Sequence, residues 1–496
     1  MLNSIVDRLD VSQVLASYKG GGNSCFHPRM MLKVLLYAYL NNIYSSRKIE
    51  RQLQEHIHYM WLSGGARPDF RTINYFRGKR LKDSFDAIFT RVVELLHSEG
   101  FVSLEVQYID GTKIESVANK YTFVWKKSVG KWEEKMFRKI QEAVELVNRE
   151  YIQSFTVTEE TRTADLQKIC RFLETVCIDR QVVFVHGRGK RKSNHQRYLE
   201  LFRRFLERQT TYDWHTASFQ GRNNYCKTDP DATFMHMKDD HMRNAQLKPG
   251  YNVQIGVDSE YIVAADIFQD RNDVWTLVPF LKTIEEKLGF RYPSVTADSG
   301  YESEEGYTYL RETGQDPYIK PQTYEKWKKR SFKKDISKRE NMEYEESTDT
   351  YTCHAGKKLK PIFVKKQRSK SGYRSEVTVY ECEDCSGCPY KERCTKAKGN
   401  KRLYVSKSFL EKRQESYENI LSEKGIQYRM NRSIQVEGAF GVLKNDYEFQ
   451  RFLLRGKTKV KLEILLLCMG YNLNKLHAKI QNGRTGSHLF EIKESA

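Results

Sequence analysis

The sequence lacks an apolar segment long enough to cross a bilayer. The longest apolar stretch, around Leu462 to Leu473, is shorter than the ~20 residues that a membrane-spanning helix needs. The N-terminus has no apolar core of the kind that signal peptides carry. Low-complexity tracts and internal repeats are also absent, which excludes a repeat architecture. These absences predict a globular protein without a membrane partner.

The cysteines do not follow the pattern of a secreted, disulfide-linked domain. Four of the ten cysteines lie within the thirteen residues 382–394, and the others are scattered. A disulfide framework in a secreted protein would show several spaced pairs in a short chain. A reducing cytoplasm is the expected setting.

Acidic residues are the other deficit. The 496 residues contain 64 Asp and Glu against 84 Lys and Arg, which gives a net charge of +20 and a pI near 9.3. Such a surplus favours a polyanionic partner, because binding to phosphates releases counterions. Nucleic acid is the leading prediction, with ribosome-like or chaperone-like binding as the alternative. The length predicts several domains, or one domain with large insertions.

Residues 28–98 show the apolar spacing of helices. Asp69 is placed to cap a short helix from Phe70 to Phe76 that carries Arg71 and is followed closely by further arginines. Short helices with exposed arginines suit a helix-turn-helix contact with DNA. A plain helical bundle with a solvated basic face explains the pattern equally well.

A strand–helix–strand pattern carries two acids. Apolar and polar residues alternate from Leu104 to Tyr108, which predicts a half-buried strand with Asp110 at its end. Further elements are predicted over Tyr251 to Val257 and Tyr261 to Phe268 (strands joined by a turn at Asp258-Ser259), Val274 to Ile284 (helix), and Ser294 to Ala297 and Asp316 to Pro321 (strands). Asp298 directly follows a strand, at the edge of the sheet where α/β proteins bind ligands.

Two stretches interrupt this pattern. Residues 120–249 predict a mostly helical insertion, with helices over Glu133 to Glu150 and Leu199 to Arg208. Residues 323–425 are basic and contain the cysteine cluster. A helix is then predicted from about Tyr428 to Tyr447, with Glu437 at the edge of its buried face.

Asp110, Asp298 and Glu437 together suit phosphodiester chemistry. Hard carboxylate oxygens hold pairs of Mg²⁺ or Mn²⁺ ions that activate a nucleophile and stabilise the leaving oxygen. Each acid alone is as easily a turn residue or a solvated side chain. Their ordered combination in a basic chain is what points to this chemistry.

Four segments carry a resemblance to a known family: Tyr-Ile-Asp-Gly-Thr-Lys-Ile-Glu at 108–115, Gly-Tyr-Asn-Val-Gln at 250–254, Thr-Ala-Asp-Ser-Gly-Tyr at 296–301 and Val-Glu-Gly-Ala-Phe-Gly-Val-Leu-Lys at 436–444. With the helical N-terminal region, the sequence resembles, over about residues 25–478, the DDE transposases of bacterial insertion sequences that have a large insertion before the last acid. The resemblance implies an α/β fold, with a ribonuclease-H-like mixed sheet as the core, an all-helical N-terminal domain and two insertions. It also implies that Asp110, Asp298 and Glu437 are catalytic and bind Mg²⁺ or Mn²⁺.

The resulting domain prediction is a helical DNA-binding domain (1–100), the first strand of the core (101–119), a mostly helical insertion (120–249), the continuation of the core (250–322), a basic, cysteine-containing insertion (323–425), the C-terminal catalytic helix region (426–480) and a tail (481–496). The implied partners are double-stranded DNA, as element ends and target site, and a second copy of the chain in a homodimer on DNA. The implied location is the bacterial cytoplasm, at the nucleoid when bound. The implied activity is cleavage at the ends of a mobile element, followed by joining of the freed 3′-hydroxyl to target DNA. The alternatives to this activity are a catalytically inactive DNA-binding descendant and a nuclease on the same scaffold.

The signature around the last acid departs from the family. Related transposases often carry Tyr-x2-Arg-x3-Glu-x6-Lys there. Lys444 has the expected spacing from Glu437 and is predicted to contact DNA together with Arg71 and Arg77. Ser433 stands at the arginine position. The neighbouring Arg432 would point about 140° away from Glu437 on a regular helix.

The cysteine cluster, C-x2-C-x2-C-x5-C preceded by Cys353 and His354, suits a tetrahedral structural zinc. The preferred ligands are Cys353, Cys385, Cys388 and Cys394. An iron–sulfur cluster or a set of reduced thiols are the alternatives.

Overall fold

The computed structural model describes residues 1–18, 26–187, 189–237 and 246–484. By its contacts the chain divides into two compact units. The larger contains Met1–Ile114 together with Tyr251–Ala496, and the smaller contains Glu115–Gly250. The predicted tail (481–496) lies outside the described residues from residue 485 onward.

The described residues of the N-terminal region, 1–18 and 26–98, form seven α-helices: α1 (Leu2–Arg8), α2 (Ser12–Ala16), α3 (Pro28–Leu40), α4 (Ser46–Glu55), α5 (Ile57–Leu62), α6 (Phe70–Tyr75) and α7 (Phe85–Ser98). Asp69 caps α6, since its carboxylate accepts the backbone N–H of Thr72 at 2.7 Å. A π-helical turn, Phe76–Arg80, follows α6 directly. The predicted helices within residues 28–98, and the Asp69 cap, are confirmed.

The first strand, β1 (Val106–Glu115), is longer and more deeply buried than predicted. Gln107, expected on a solvated face, is 0% exposed, so the prediction of a half-buried strand is wrong. The reason is that β1 has a hydrogen-bonded neighbour on each side and lies inside the sheet. Asp110 therefore lies in the middle of β1 and not at its end.

The smaller unit contains β2 (Phe123–Trp125), α8 (Lys126–Tyr151), α9 (Arg162–Asp179), α10 (Asn194–Phe219), β3 (Asn224–Cys226) and β4 (Thr233–His236). The two helices predicted here are confirmed as parts of α8 and α10. Eighteen buried residues form one core within this unit, mostly on the facing sides of the three helices. A three-helix arrangement with its own core supports itself as a domain.

The sheet of the larger unit continues with β5 (Leu247–Asp258), β6 (Tyr261–Phe268), α11 (Leu277–Leu288), β7 (Ser294–Ala297), α12 (Glu304–Glu312) and β8 (Asp316–Ile319). Within the larger unit the strand order is β6-β5-β1-β7-β8, and the first residues of β5 (247–250) also pair with β4, which makes six strands in all. β5 and β6 are antiparallel, while β1, β7 and β8 run parallel. The fold is thus a mixed α/β fold, as predicted.

The predicted turn between β5 and β6 is confirmed, shifted by one residue. Its central residues are Ser259 and Glu260, with φ of 51° and 74°, which is the pattern of a type I′ hairpin. Asp258 is buried beside it and accepts the hydroxyl of Ser103 and the N–H of Leu104, each at 2.8 Å.

The second insertion forms a five-stranded sheet of order β13-β12-β11-β10-β9. Its elements are α13 (Tyr324–Trp327), α14 (Arg330–Lys333), β9 (Glu343–Glu345), β10 (Thr350–Thr352), β11 (Lys358–Arg368), β12 (Arg374–Cys382), α15 (Lys391–Cys394) and β13 (Arg402–Val405). Its core contains eight buried residues. The long hairpin β11–β12 extends beyond that core, because Lys360 and every following residue of β11 are exposed.

The described part of the chain continues with α16 (Lys407–Leu421), α17 (Glu423–Arg432), α18 (Gly438–Gly441) and α19 (Lys457–Gln481). Tyr428 of α17 packs on the sheet, with its ring 6.2 Å from that of Tyr108 and 5.1 Å from that of Tyr318. α19 lies against β6, where the Asn472 amide bonds the backbone N–H and C=O of Ile262. In the described part of the chain, no helix has both the length and the apolarity to cross a membrane.

Candidate active site

Asp110 is buried within β1, next to a glycine that lies close to two side chains of the sheet. The residue is 8% exposed, and its Oδ1 accepts the N–H of Gly111 at 2.8 Å. A Cβ on Gly111 would lie 2.1 Å from Nε2 of Gln254 and 3.0 Å from the hydroxyl of Tyr301. Only glycine therefore lets β1 pass these two side chains immediately beside the acid.

Asp298 directly follows β7, the parallel neighbour of β1. Tyr108 pairs with Thr296, so Asp110 and Asp298 each stand two residues beyond the same paired position. The Oδ1 of Asp298 accepts the N–H of Gly300 at 2.7 Å. Asp298 thereby caps the 3₁₀ turn Ser299–Tyr301. The predicted position of Asp298 at the carboxyl end of a parallel strand is confirmed.

Tyr301 lies where the acidic side chains converge. Its ring is fully buried, and this burial raises the pKa of its hydroxyl well above the ordinary value. The charges of three acids raise that pKa further and one arginine lowers it; these residues are Asp273, Asp110, Asp298 and Arg432. Two of the predicted acids therefore share one environment with an acid and an arginine that were not assigned to the site.

Asp273 is the acid that the sequence did not single out. Its Oδ1 accepts the amides of Asn252 at 2.7 Å and Gln254 at 3.1 Å. A Cβ on Gly300 would lie 3.0 Å from Oδ1 of Asp298 and 3.8 Å from Oδ2 of Asp273, so the two acids flank this glycine. The available signal was the Gly-Tyr-Asn-Val-Gln segment, since its two amides stand two residues apart on one face of β5.

Glu437 joins the site through Arg432. The Nη2 of Arg432 is 3.2 Å from Oδ2 of Asp110, and its Nη1 is 3.9 Å from Oε1 of Glu437. Its Nε also donates to the backbone oxygen of Ile109 at 3.3 Å. The Glu437 side chain is 61% exposed, so this acid faces solvent at the rim while Asp110 lies below it.

The expectation that Arg432 points away from Glu437 is wrong. Residues Ser433–Glu437 form a π-helical turn, in which backbone bonds join residues five apart. This wider turn brings positions 432 and 437 onto one face. The helix predicted from Tyr428 to Tyr447 is continuous but irregular, since a second π turn, Val442–Asp446, follows α18.

The other predicted DNA-contacting residues differ in exposure. Lys444 is partly exposed on the second π turn. Arg71 is exposed on α6, with its guanidinium 5.8 Å from the ring centre of Phe70. Both side chains are in positions that a phosphate could reach.

Arg77 is not in a position that a phosphate could reach. It is 2% exposed, and it donates to the hydroxyl of Tyr39 at 3.3 Å, the backbone oxygen of Tyr44 at 2.7 Å and Oδ1 of Asn74 at 3.1 Å. Burial raises the pKa of the nearby Glu463 to about 7, and Arg77 opposes that rise. The predicted DNA contact of Arg77 is corrected: it is a core residue of this fold.

The cysteine cluster surrounds one small cavity of the second insertion. The lining includes five cysteines and one histidine: Cys353, His354, Cys382, Cys385, Cys388 and Cys394. The pKa of Cys382 is raised to about 12, chiefly by burial and also by the neighbouring Cys385 and Cys353. None of the nine cysteines within the described ranges forms a disulfide.

Within residues 1–18, 26–187, 189–237 and 246–484, no three His, Cys, Asp or Glu side chains are arranged as a site for a metal ion. At the acids, the guanidinium of Arg432 supplies the positive charge that meets Asp110. The chemistry of the two donor sets is nonetheless distinct, with hard carboxylate oxygens in one and soft thiols in the other.

Two family models match the chain. One, described as a transposase DDE domain, matches residues 352–477, and the other, described as transposase domain (DUF772), matches residues 1–79. The first range contains Glu437 and the cysteine cluster, while Asp110 and Asp298 lie outside both ranges. No curated protein matches the chain.

Proposed function

We propose that this chain, whose two family matches support an insertion-sequence transposase of the DDE type, cuts DNA at the ends of a mobile element and joins the freed 3′-hydroxyl to target DNA. The observation that carries the proposal is the convergence of Asp110, Asp298 and Glu437. Two of these acids stand at one level of neighbouring parallel strands, and the third is connected to the first through Arg432.

The topology of the sheet supports a ribonuclease-H-like core. Numbered along the chain within the larger unit, its five strands are β1, β5, β6, β7 and β8, and their spatial order is 3-2-1-4-5. The third strand, β6, runs antiparallel to β5. The pairs β1–β7 and β7–β8 are parallel. The carboxyl end of the fourth strand then lies beside the middle of the longer central strand, where Asp110 stands, and a ligand site is expected at the carboxyl end of a parallel strand.

Asp110, Asp298 and Glu437 are the residues that we propose to hold Mg²⁺ or Mn²⁺. Bound ions of this kind would activate water or a 3′-hydroxyl and stabilise the oxygen that leaves. The chain's own contribution is to hold the acids in place. Gly111 gives the backbone room beside Asp110, and the N–H of Gly300 fixes Asp298.

Arg432 takes the role that the family signature gives to an arginine one residue later. Its guanidinium lies between an acid of the sheet and the acid of the helix, where a fixed positive charge would orient a phosphate. We assign the equivalent phosphate contact on the same helix to Lys444, and a contact with the flanking duplex to Arg71. Two copies of the chain would work on the two element ends, at the bacterial nucleoid.

A structural zinc is proposed for the second insertion, with Cys353, Cys385, Cys388 and Cys394 as ligands. The support is that these thiols line one cavity in a segment whose core has only eight buried residues. Thiolates select zinc over the harder ions of the acidic site. The binding energy of a structural zinc adds directly to the stability of such a small core.

Asp298→Asn tests the catalytic assignment. We expect the variant to bind an element-end duplex as the wild type does and to lose nearly all cleavage, because affinity rests on Lys and Arg contacts and cleavage on the acids. The measurement is cleavage and joining of a labelled end with Mg²⁺ and a target plasmid. Asp316→Asn is the matched control, since this exposed acid begins β8 at the opposite end of the sheet.

The outcomes separate three functions. Cleavage followed by joined product supports a transposase, and cleavage without joining supports a nuclease. Binding by the wild type without any cleavage would point to an inactive DNA-binding descendant. Normal cleavage by the Asp298→Asn protein would show that the acids are wrongly assigned.

A further inference from the structure

The smaller unit has a basic, aromatic groove that no role described above uses. It runs between α8 and α10 and has a volume of about 330 Å³, at the lower end of the range of ligand pockets. Three aromatic and three cationic residues line it: Trp132, Phe205 and Tyr212, with Lys135, Lys139 and Arg208. No acidic residue is among those that line it.

The groove follows from the spacing of these residues on the two helices. Trp132, Lys135 and Lys139 stand at i, i+3 and i+7 of α8, so they lie on one face. Phe205, Arg208 and Tyr212 repeat the same spacing on α10. Each helix thereby presents aromatic and cationic side chains together, and the two faces meet along the groove.

The cations of the groove are available to an anion. Within the described part of the smaller unit, none of the three makes a hydrogen bond or ion pair, and all three are exposed. The two acids that directly follow Trp132 on α8 are already engaged. Glu133 binds Arg162 at 2.7 Å, and Glu134 binds Arg138 at 2.7 Å.

Two of the aromatic residues of the groove are buried and one is exposed. Phe205 and Tyr212 are each 7% exposed and belong to the core of the unit. Trp132 is 58% exposed, so its ring is open to a ligand with a flat face.

We propose that this groove binds an unpaired nucleotide of a DNA strand, with the base stacked on Trp132 and the flanking phosphates on Lys135, Lys139 and Arg208. Aromatic platforms beside cations are the chemistry that recognises single strands, because a base inside a duplex has no free face to stack. The inference rests on the proposed function for the source of the strand: cutting and joining DNA generates unpaired bases next to the cut.

Single-strand affinity of the full-length protein tests the groove. The probe is a 12-nucleotide single strand with 2-aminopurine at its centre, compared with the same sequence as a duplex. We expect Trp132→Ala to weaken single-strand binding about tenfold and to leave duplex binding unchanged. Trp132→Phe keeps a ring and should restore most of the affinity. Lys135→Gln combined with Lys139→Gln should reduce the affinity and its dependence on salt.

Arg149→Gln is the matched control. It removes one exposed cation from the same helix, about 15 Å along the axis from Lys139. Equal affinity of Trp132→Ala and wild type for the single strand would overturn the proposal, as would an equal loss for single strand and duplex, or an equal loss in Arg149→Gln. The catalytic proposal is tested separately: if Asp298→Asn loses cleavage while Trp132→Ala binds normally, only the groove assignment fails.

Discussion

The two insertions differ in the size of the core that stabilises them. Each interrupts the central fold, and each must hold a long stretch of chain in one conformation. The helical insertion does so with eighteen buried core residues on three helices and forms a compact unit of its own. The sheet insertion has eight, and three of its five strands have only three or four residues.

The difference in core size indicates which insertion would be stabilised more by a cross-link. Apolar burial contributes roughly 25 cal/mol per Å², so a core of eight residues has little to offset the entropy of ordering about a hundred residues. The sheet insertion is also the segment with the clustered thiols. The helical insertion contains buried cysteines too, Cys170 and Cys177, but they are isolated members of its core.

Removal of the proposed zinc should have the largest effect, and it should lower the protease resistance of the sheet insertion alone. A structural zinc contributes about 10–16 kcal/mol in small domains, so a chelator should expose β11 and β12 to proteolysis and leave α8–α10 resistant. Cys385→Ser should have the same effect and lower the bound zinc from one ion per chain to none, as measured by metal analysis of the purified protein.

Cys170→Ala is the control for that experiment. It removes a buried thiol from the helical insertion and should leave the zinc content unchanged. Purified wild-type protein without zinc, with β11 and β12 still resistant to protease, would contradict the metal assignment and leave reduced thiols as the better explanation.

The next largest effect on stability is expected from truncating one buried leucine in each insertion. Leu173→Ala and Leu359→Ala each remove a side chain that is 0% exposed, and each should cost about 2–5 kcal/mol. We expect the helical insertion to remain folded, with faster hydrogen exchange in α9. The sheet insertion should remain protected only while zinc is bound. Equal protection of Leu359→Ala with and without a chelator would show that its core is sufficient alone.

Regular periodicity made much of this fold predictable. The hairpin β5–β6, the parallel strand before Asp298 and the long helices of the first insertion follow from apolar spacing that tertiary contacts do not override. β1 was misjudged because its polar residues are buried. Gln107 lies within 2.5 Å of where a Cβ of Gly256 would stand, a contact with a strand about 150 residues away that no local pattern reveals.

The candidate site was predictable only in part, for a related reason. The three acids follow strand and helix positions, but Arg432 reaches Asp110 and Glu437 through a π turn, and one extra residue per turn leaves no clear mark in apolar spacing. Asp273 enters the site through the amides of Asn252 and Gln254. Arg77 shows the converse, since an arginine in a basic helical region turned out to be buried.

The smallest effect concerns one ion pair in each insertion. Arg162 bonds Glu133 at 2.7 Å with side chains 10% and 26% exposed, and it lies 4.5 Å from the ring centre of Phe137. Arg402 bonds Glu381 at 2.6 Å, but it is 50% exposed. Since a charged hydrogen bond shielded from water is stronger, Arg162→Gln should lower the local stability by about 1–3 kcal/mol.

The loss in Arg402→Gln should be smaller than that in Arg162→Gln and should vanish in 1 M salt, because solvent and counterions already screen that pair. Hydrogen exchange in α9 and in β12 measures the two effects in their own segments. A larger loss at Arg402 than at Arg162 would mean that the sheet insertion depends on its surface charges as well as on its thiols. The contrast between an insertion supported by its core and one for which we propose support by zinc would then need a third contribution.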